Sequence, residues 1–389
     1  MEKIKLGDLC KPSGRQIKED KDTLIDYIDI SAVDNETKKV TGYQTITFGE
    51  SPSRARKAVK RGNILVSTVR PNLNAVALLE EDTPNVSVAS TGFCVLESKD
   101  DVDPRFIFNF CKSKPFIDDM VSQATGASYP AVSDKIVRSA LIPKYSYQEQ
   151  QHISNVLDKL AGIIDSRRIE LQKLDNLIKA RFVELFGDLM ENPLGWPVMT
   201  IADVSTFLKS GLSRKLSDDD IGLPVIRSGN IQDGQFIFDD VKYWYIDDPQ
   251  GANTKDYILN DGDVLVNFIN SSSQIGKTAI YRDTGRDCIY TTNIFRMKLA
   301  DNCNEYYYNW FAMSDYYYRH LQSIIQPAVN QASFTTVNFL KLPIPLPPKE
   351  KQGEFADFVK QVDKSKVALQ KALDETQTLF DSLMQKYFG

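Results

Sequence analysis

The chain has 389 residues, of which 42% are hydrophobic and 25% charged, and its formal net charge at pH 7 is −5. This is the composition of a globular protein of two or three domains, and it excludes a disordered chain, a collagen and a disulfide-stapled miniprotein. No apolar run is long enough to span a membrane and the first residues lack an apolar signal core, so we expect a cytoplasmic protein.

Cysteine and histidine usage limits the possible chemistry. The cysteines form no CxxC pair and are odd in number; they are Cys10, Cys94, Cys111, Cys288 and Cys303. We expect them to be reduced and partly buried rather than zinc ligands. His152 and His320 are the two histidines and lie far apart. Metallohydrolase, HNH-type nuclease and Ser-His-Asp chemistry need more histidine or better placed histidine.

The first stretch of the chain, residues 1–143, contains short runs of β-type composition between turn signals, such as Asn63–Ser67 and Phe93–Leu96. Ile142-Pro143 ends this stretch. Residues 144–190 then contain no proline and almost no glycine. They are predicted to form one long helix.

The long helix carries a seam of apolar residues at alternating steps of four and three. A period of about 3.5 residues predicts a coiled coil rather than a broad core face. Arg167 and Arg181 interrupt the seam and leave two interpretations open: they set the register, or their long side chains run along the seam edge to solvent. We favour the second. The seam positions are Ile153, Leu157, Leu160, Ile164, Arg167, Leu171, Leu174, Ile178, Arg181 and Leu185.

A breaker segment over residues 188–197 leads into a second copy of the same plan, residues 191–346. Gly62–Ser67 matches Gly262–Asn267, and Phe186-Gly187 matches Phe388-Gly389. Such matches follow one another in order at offsets of 195 to 202 residues. They predict an internal duplication.

The second copy ends like the first, with a Pro-marked exit and a second predicted helix over residues 347–389. Its predicted strands include Leu223–Ile226 and Asp263–Val266. Lys366 and Thr376 interrupt its seam. The seam positions are Phe355, Val359, Val362, Lys366, Leu369, Leu373, Thr376, Phe380, Leu383 and Tyr387.

The connections decide how these elements are arranged. A helix of about 40 residues is about 60 Å long, and only a short link separates Gly187 from Val198. The second globular domain is therefore expected at the far end of the first helix. The second helix must run back to bury its seam. The predicted fold is α+β: two similar domains separated by two long antiparallel coiled-coil helices, with a pseudo-two-fold internal repeat.

Two similar domains at a fixed separation suit a bipartite target, such as two half-sites about one DNA turn of about 34 Å apart. Several motifs also occur in a fixed order: Ile142-Pro143 before Glu149-Gln150-Gln151, Pro345–Pro348 before Lys351-Gln352, and the helix ends Phe186-Gly187 and Phe388-Gly389. This ordered set, which covers nearly the whole chain, resembles the specificity subunit of type I restriction-modification enzymes. The chain departs from a perfect repeat where Lys351-Gln352 stands against Glu149-Gln150-Gln151, so the two partner-binding ends need not be equivalent.

The resemblance implies two target recognition domains, residues 1–143 and 191–346, that each read one half of an asymmetric split site in double-stranded DNA. It implies spacer helices, residues 144–190 and 347–389, that set the spacing and bind two methyltransferase subunits, with restriction subunits joining that core. The chain itself would be non-catalytic and hold no cofactor. AdoMet, ATP and Mg are then expected on the partner subunits.

Polar and basic side chains on loops are the candidates for DNA contact. The loop after Ile64-Leu65-Val66 and its counterpart in the second copy share position and character, and solvated polar turns are the competing interpretation. A basic run, the small polar segments before the exits and three further cations complete the set. The predicted contacts are Arg54, Arg56, Lys57, Ser67, Thr68, Arg70, Asn72, Asn74, Ser128 and Tyr129 in the first copy, and Arg214, Lys215, Arg227, Asn267, Asn270, Ser271, Ser272, Ser273, Gln274, Lys277, Asn330 and Gln331 in the second.

Other functions have weaker support. Gly276-Lys277-Thr278 resembles part of a phosphate loop, but Ser271 stands where its first glycine belongs. The tyrosine-rich segments Tyr306–Tyr308 and Tyr316–Tyr318 are better explained by helix packing than by base stacking. The alternative from another class is a two-headed protein-interaction scaffold without DNA specificity.

Overall fold

The computed structural model describes residues 2–12, 14, 16–232, 234–327 and 331–389. The chain divides into two compact units. Unit 1 comprises Met1–Ile169 together with Leu369–Gly389, and unit 2 comprises Glu170–Ala368. The division falls within both long helices, whereas the sequence places domain boundaries at the starts of these helices, and those boundaries stay a prediction.

Unit 1 contains a four-stranded sheet of order β3-β2-β7-β4, a three-stranded sheet of order β6-β5-β8, and the pair β1-β9. The strands are β1 (Lys3–Lys5), β2 (Leu24–Ile28), β3 (Gln44–Thr47), β4 (Ala55–Ala58), β5 (Ile64–Ser67), β6 (Val76–Leu78), β7 (Val86–Ser90), β8 (Phe93–Leu96) and β9 (Leu141–Pro143). The helices are α1 (Pro104–Lys112), α2 (Lys114–Gln123), α3 (Asp134–Ser139) and α4 (Tyr147–Phe186), of which α4 continues into unit 2.

Unit 2 has the sheets β11-β20-β16-β18, β15-β12-β19 and β17-β22-β21 and the pairs β10-β23 and β13-β14. The strands are β10 (Val198–Thr200), β11 (Ser205–Ser210), β12 (Leu223–Ile226), β13 (Ile231–Gln232), β14 (Gln235–Phe236), β15 (Lys242–Trp244), β16 (Val264–Asn267), β17 (Ile269–Asn270), β18 (Thr278–Ile280), β19 (Ile289–Tyr290), β20 (Ile294–Leu299), β21 (Gln326–Pro327), β22 (Ala332–Ser333) and β23 (Pro343–Pro345). The helices are α5 (Glu305–Phe311), α6 (Asp315–Gln322), α7 (Thr336–Leu340) and α8 (Lys349–Phe388), of which α8 continues into unit 1.

The internal duplication is confirmed by the central strands and by the terminal strand pair of each unit. In unit 1, β5 lies between β6 and β8, and in unit 2, β16 lies between β18 and β20. The antiparallel pair β1-β9 joins Ile4 to Ile142, as β10-β23 joins Met199 to Ile344. The α+β class and the sequence-predicted strands around β5, β8, β12 and β16 are likewise confirmed.

Both central strands begin at the same kind of turn. Gly62 and Gly262 each have a φ of +86°, a left-handed conformation that glycine adopts without a steric cost. Asn63 Oδ1 accepts a hydrogen bond from the Lys60 amide at 3.1 Å, and Asp263 Oδ2 accepts one from the Asn260 amide at 2.8 Å. The side chain after each glycine therefore closes its turn.

Each long helix begins with a buried glutamine that ties it to its own copy. Gln150 Oε1 accepts the Asp103 amide at 3.1 Å, and Gln352 Oε1 accepts the Asn304 amide at 2.7 Å. Asp103 and Asn304 are the N-caps of α1 and α5. The amide groups of the two glutamines donate to the carbonyls of Tyr145 and Pro347, respectively. The exit motif thus locks the helix start onto the preceding domain.

Each long helix ends in the core of the other copy's unit. Phe186, at the end of α4, lies 4.9 Å from the Tyr307 ring in unit 2, measured between ring centroids. Phe388, at the end of α8, lies 5.3 Å from the Phe106 ring in unit 1. Tyr307 and Phe106 occupy corresponding positions in α5 and α1.

The predicted seam is confirmed, because all twenty seam positions are buried or half-buried. In unit 1 the start of α4, with Ile153 and Leu157, packs with Met384 and Phe388 of α8. In unit 2 the end of α4 packs with the start of α8, as Phe182 does with Phe355. The two helices are therefore antiparallel.

Arg167 and Lys366 pair across the helices, which corrects for these two residues the favoured interpretation that they extend to solvent, whereas Arg181 pairs with Glu354 at the exposed edge of the seam. Arg167 Nη1 donates to the Ala372 carbonyl and to Thr376 Oγ1 in unit 1. In unit 2, Lys366 Nζ donates to Asp175 Oδ1 at 2.6 Å. The reason is geometric: each long side chain meets an acceptor on the facing helix before it reaches water, and so it can set the register.

The tyrosine-rich segments pack in the core of unit 2, as the sequence predicted. Tyr307, Tyr308 and Tyr317 are almost fully buried. Tyr317 also donates a hydrogen bond to the Gly276 carbonyl at 3.1 Å.

Within the described part of the chain, no helix has the length and apolar character needed to cross a membrane.

We expect Leu373→Asp to destabilise the protein by at least about 3 kcal/mol, since it removes buried apolar contacts and buries an unpaired charge. Leu373 is 8% exposed, whereas Leu379 on the same helix is 50% exposed. Leu379→Asp is therefore the matched control and should change stability by less than about 1 kcal/mol. Chemical denaturation of both variants measures the difference, and equal effects would argue against the seam.

Candidate nucleic-acid interface

In unit 1 the residues at the two ends of the loop after β5 are buried, and the residues at its tip are exposed. Ser67 Oγ donates to the Val69 carbonyl at 2.9 Å, and Thr68 Oγ1 donates to the Gly92 carbonyl at 2.9 Å. Asn74 Nδ2 donates to the Cys111 carbonyl at 2.9 Å. Ser67, Thr68 and Asn74 are each at most 7% exposed, so these three predicted contacts shape the loop from inside.

The exposed residues of this loop are Arg70, Asn72 and Leu73, and the structure brings Arg70 to the second predicted segment. The Arg70 amide donates to the Pro130 carbonyl at 2.7 Å. The Arg70 guanidinium carbon lies 4.9 Å from the centre of the Tyr129 ring. Ser128 and Tyr129 are exposed beside it. Two predicted residues from distant segments, Arg70 and Tyr129, are therefore in contact at the surface.

The basic run on β4 is partly neutralised. Lys57 Nζ lies 2.7 Å from Asp134 Oδ2 and also donates to the Phe93 carbonyl at 2.6 Å. Arg56 is half-buried and donates to the Ala55 carbonyl at 2.6 Å. Arg54 is exposed. Of the three predicted phosphate contacts, Arg54 is the one presented to solvent.

Unit 2 repeats the meeting of two loops. The loop after β16 forms β17, which pairs with β22 of the hairpin β21-β22, so that Asn270 lies opposite Ala332. Gln331 is exposed in that hairpin, and Asn330 lies outside the described residues. The two segments predicted to contact DNA are thus adjacent in both units, although they are far apart in sequence.

The tip of the unit 2 loop is polar and anchored from below. Asn267 is fully buried and donates to the Ser228 carbonyl at 3.3 Å. Gly276 has a φ of +81°, and a Cβ there would overlap the Leu321 side chain, so the loop packs closely on α6. The exposed tip consists of Ser271, Ser272 and Ser273, followed by Gln274 and Lys277, which are half-buried.

The three remaining cations differ in availability. Arg214 Nη2 lies 2.6 Å from Asp248 Oδ2, and Arg227 Nη2 lies 2.7 Å from Asp240 Oδ2. Both arginines line a polar cavity of about 580 Å³. Lys215 is exposed. The Arg214 hydrogen bonds lower the pKa of Asp248 to about 2, so the charge of Arg214 is already compensated within the protein.

The potential metal ligands that the structure describes are dispersed, and the cysteines are buried. No group of three or more His, Cys, Asp or Glu in that part of the chain could hold a metal ion. The cysteines are unpaired and buried, and burial raises the pKa of Cys10 to about 11 and that of Cys94 to about 12. Such thiols are poor nucleophiles. Thr278, in the phosphate-loop-like triplet, donates instead to Asn309 Oδ1 at 3.0 Å.

Sequence reasoning missed two features of this surface. The stacking of Arg70 on Tyr129 joins residues that are 59 positions apart, and no local signal could have paired them. The internal ion pairs of Lys57 and Arg214 were missed for the same reason, since Asp134 and Asp248 come from distant segments.

The Arg214–Asp248 pair predicts a pH dependence of stability. A carboxylate whose pKa falls from its ordinary 3.8 to about 2 on folding stabilises the fold above its ordinary pKa, and this contribution is lost as the pH falls toward 2. Asp248→Asn should therefore lower the melting temperature at pH 7. The difference from the wild type should shrink as the pH falls below about 4.

Thermal melts of the wild type and Asp248→Asn between pH 7 and pH 2 measure this dependence. Asp247→Asn is the control, because Asp247 is exposed and should give a small difference at every pH. A melting-temperature difference for Asp248→Asn that stayed constant down to pH 2 would contradict the assignment.

Comparison with known proteins agrees with this geometry. The profile of the type I restriction modification DNA specificity domain matches residues 1–176 and 193–376. The MjaX type I restriction enzyme specificity subunit of Methanocaldococcus jannaschii is 29% identical over 202 residues, which cover 52% of this chain and 47% of that protein. The EcoKI specificity subunit of Escherichia coli K12 is 21% identical over 315 residues, 76% of this chain and 67% of that protein.

The chain spans about half the length of the first of these relatives. A solved chain from work on the structural basis of complex assembly and conformational transition of the type I R-M system has the same fold, with a TM-score of 0.60 at 23% identity over 100% of this chain and 97% of that chain. Because the profile covers most of the sequence in two copies, the chain belongs to the family of type I restriction-modification DNA specificity proteins.

Proposed function

We propose that this protein is the non-catalytic specificity subunit of a type I restriction-modification complex, in which each unit reads one half of an asymmetric bipartite site in double-stranded DNA. One observation carries the proposal. In both units a loop leaves the central buried strand and meets a second polar segment, at Val69 with Ala131 and at Ile269 with Ser333.

In both surfaces the residues that anchor the loop are buried, and the two surfaces differ at their exposed tips. Unit 1 presents Arg70, Asn72 and Tyr129, and unit 2 presents a run of serines. Base edges are read by hydrogen-bonding side chains that reach a groove. Two related surfaces with different donors and acceptors suit two different half-sites.

The long helices offer surface for protein partners. Leu177 on α4 is 48% exposed, and Leu379 at the matching position of α8 is 50% exposed. The first lies in unit 2 and the second in unit 1. A single exposed apolar side chain is common on a protein surface, but its recurrence at matching positions of the two copies gives two equivalent faces, which we propose as the docking faces of two methyltransferase subunits.

The rest of the proposed complex follows from the family. Restriction subunits would join this core, and AdoMet, ATP and Mg would be bound by the partner subunits, where methyl transfer to adenine takes place. We infer a cytoplasmic location, where the DNA is found. Methyl transfer by the partner subunits requires no catalytic group in this chain.

Replacing Ser271–Gln274 by Gly-Ala-Gly-Ala should abolish base preference in one half-site only and leave the other half intact. The change removes the exposed polar tip of the unit 2 loop and leaves the buried residues that anchor the loop in place. Binding selection on duplexes randomised in both half-sites measures this, and replacement of the exposed Pro249-Gln250 by Gly-Ser is the control. A wild-type chain without any sequence preference would favour the protein-interaction scaffold.

We further propose that α4 and α8, each an unbroken helix of 40 residues, set the number of base pairs between the half-sites. Deleting residues 166–172 together with the matching residues 368–374 should shorten that gap by about three base pairs, since seven helical residues rise about 10 Å. Both half-site sequences should stay unchanged. Base-resolution sequencing of the methylated motif measures the gap, and an unaltered gap would refute this role.

A further inference from the structure

The loop tip of unit 1 holds its arginine in an uncommon backbone conformation. Arg70 has a φ of +49°, and Asn74 at the other end of the short turn has a φ of +48°. Residues other than glycine enter this left-handed region at a cost in free energy, and such positions cluster at binding sites. The surrounding structure must therefore hold this turn in place.

Contacts at both ends of the turn supply that support. At one end the Arg70 amide donates to the Pro130 carbonyl at 2.7 Å. At the other end Asn74 is fixed twice: its Nδ2 donates to the Cys111 carbonyl at 2.9 Å, and its own carbonyl accepts from Lys38 Nζ at 2.7 Å. The turn is consequently a rigid platform for the side chains that it exposes.

The Arg70 guanidinium has a fixed orientation, and its hydrogen-bond donors face solvent. Its guanidinium lies over the Tyr129 ring, 4.9 Å from the ring centre. Arg56, Arg214 and Arg227 donate to acceptors within the protein. Among the residues that the structure describes, the Arg70 guanidinium has no such acceptor. Stacking fixes the plane of the guanidinium while its N–H groups stay available for a ligand.

We propose that Arg70 reads a guanine in the half-site of unit 1 and that Tyr129 is its positioning residue. The inference rests on the proposed function, and it adds the identity of one base. The planar fork of arginine matches the two acceptors, O6 and N7, that guanine presents in the major groove. A phosphate contact needs charge but not this fixed orientation.

The corresponding place in unit 2 carries a different residue. Asn270 follows Ile269 of β17 as Arg70 follows Val69, and both segments pair with the second polar segment of their unit. Asparagine pairs with adenine rather than guanine in the major groove. Arg70→Asn is therefore the informative substitution, since asparagine also tolerates the left-handed backbone.

The test uses the full-length chain, purified from its host with the subunits that accompany it, and a duplex library randomised in both half-sites. The wild type should select guanine at one position of one half-site. Arg70→Asn should reduce the preference for guanine at that position by roughly 5- to 150-fold. Preferences at all other positions should remain.

Control variants separate base reading from charge and from folding. Arg54→Ala removes another exposed cation of unit 1, one that we predict to contact phosphate, so it should weaken binding equally for all sequences without changing any base preference. Tyr129→Phe keeps the ring and should behave as the wild type, whereas Tyr129→Ala should weaken the guanine preference at the same position. Equal melting temperatures of the variants confirm that each is folded.

Three results would overturn the inference: an unchanged guanine preference in Arg70→Asn, a loss of affinity that is uniform over all sequences, or a change confined to the other half-site. Each leaves a sequence-specific protein in place. A wild-type chain that selects no sequence at all is a different outcome, because it removes the proposed function itself.

Discussion

Burial of both ends of each long helix is the constraint on which the rest of the structure depends. Gln150 and Gln352 tie the helix starts to the N-caps Asp103 and Asn304. Phe186 and Phe388 complete cores that belong to the other copy's unit. Burial of one such aromatic side chain contributes about 1.5–3 kcal/mol. Neither half of the sequence therefore contains all of the residues that form its own unit.

This constraint leaves the outer ends of the central strands free to diverge. The last residue of β5, Ser67, and the last residue of β16, Asn267, are both buried and hydrogen-bonded. Three residues further along, Arg70 and Asn270 differ in charge and donor pattern. A duplicated scaffold in which the strand ends are fixed and the loop tips vary can thus change one contact surface without disturbing the packing beneath it.

Periodicity and repetition made much of the fold predictable from the sequence. The seam predicted from its 3.5-residue period proved buried or half-buried at every position, because a sustained apolar pattern is decided by the helix itself. Tertiary partners were not predictable. Thr68 looks like an exposed loop hydroxyl, yet it bonds to the carbonyl of Gly92, and Lys57 looks like a phosphate ligand, yet it pairs with Asp134. A polar residue's role depends on which distant segment lies beside it.

The polar seam residues show why the two copies are not interchangeable. Arg167 finds its acceptors on Ala372 and Thr376, and Lys366 finds Asp175. Under the duplication Arg167 corresponds to Leu369, and Lys366 to Ile164, so the pattern of cross-helix bonds is not repeated. A pairing shifted by one heptad would break these contacts in a partly buried seam, which disfavours the shifted register. Two unrelated polar contacts thus select one register, and any function that depends on the length of the helix pair depends on them.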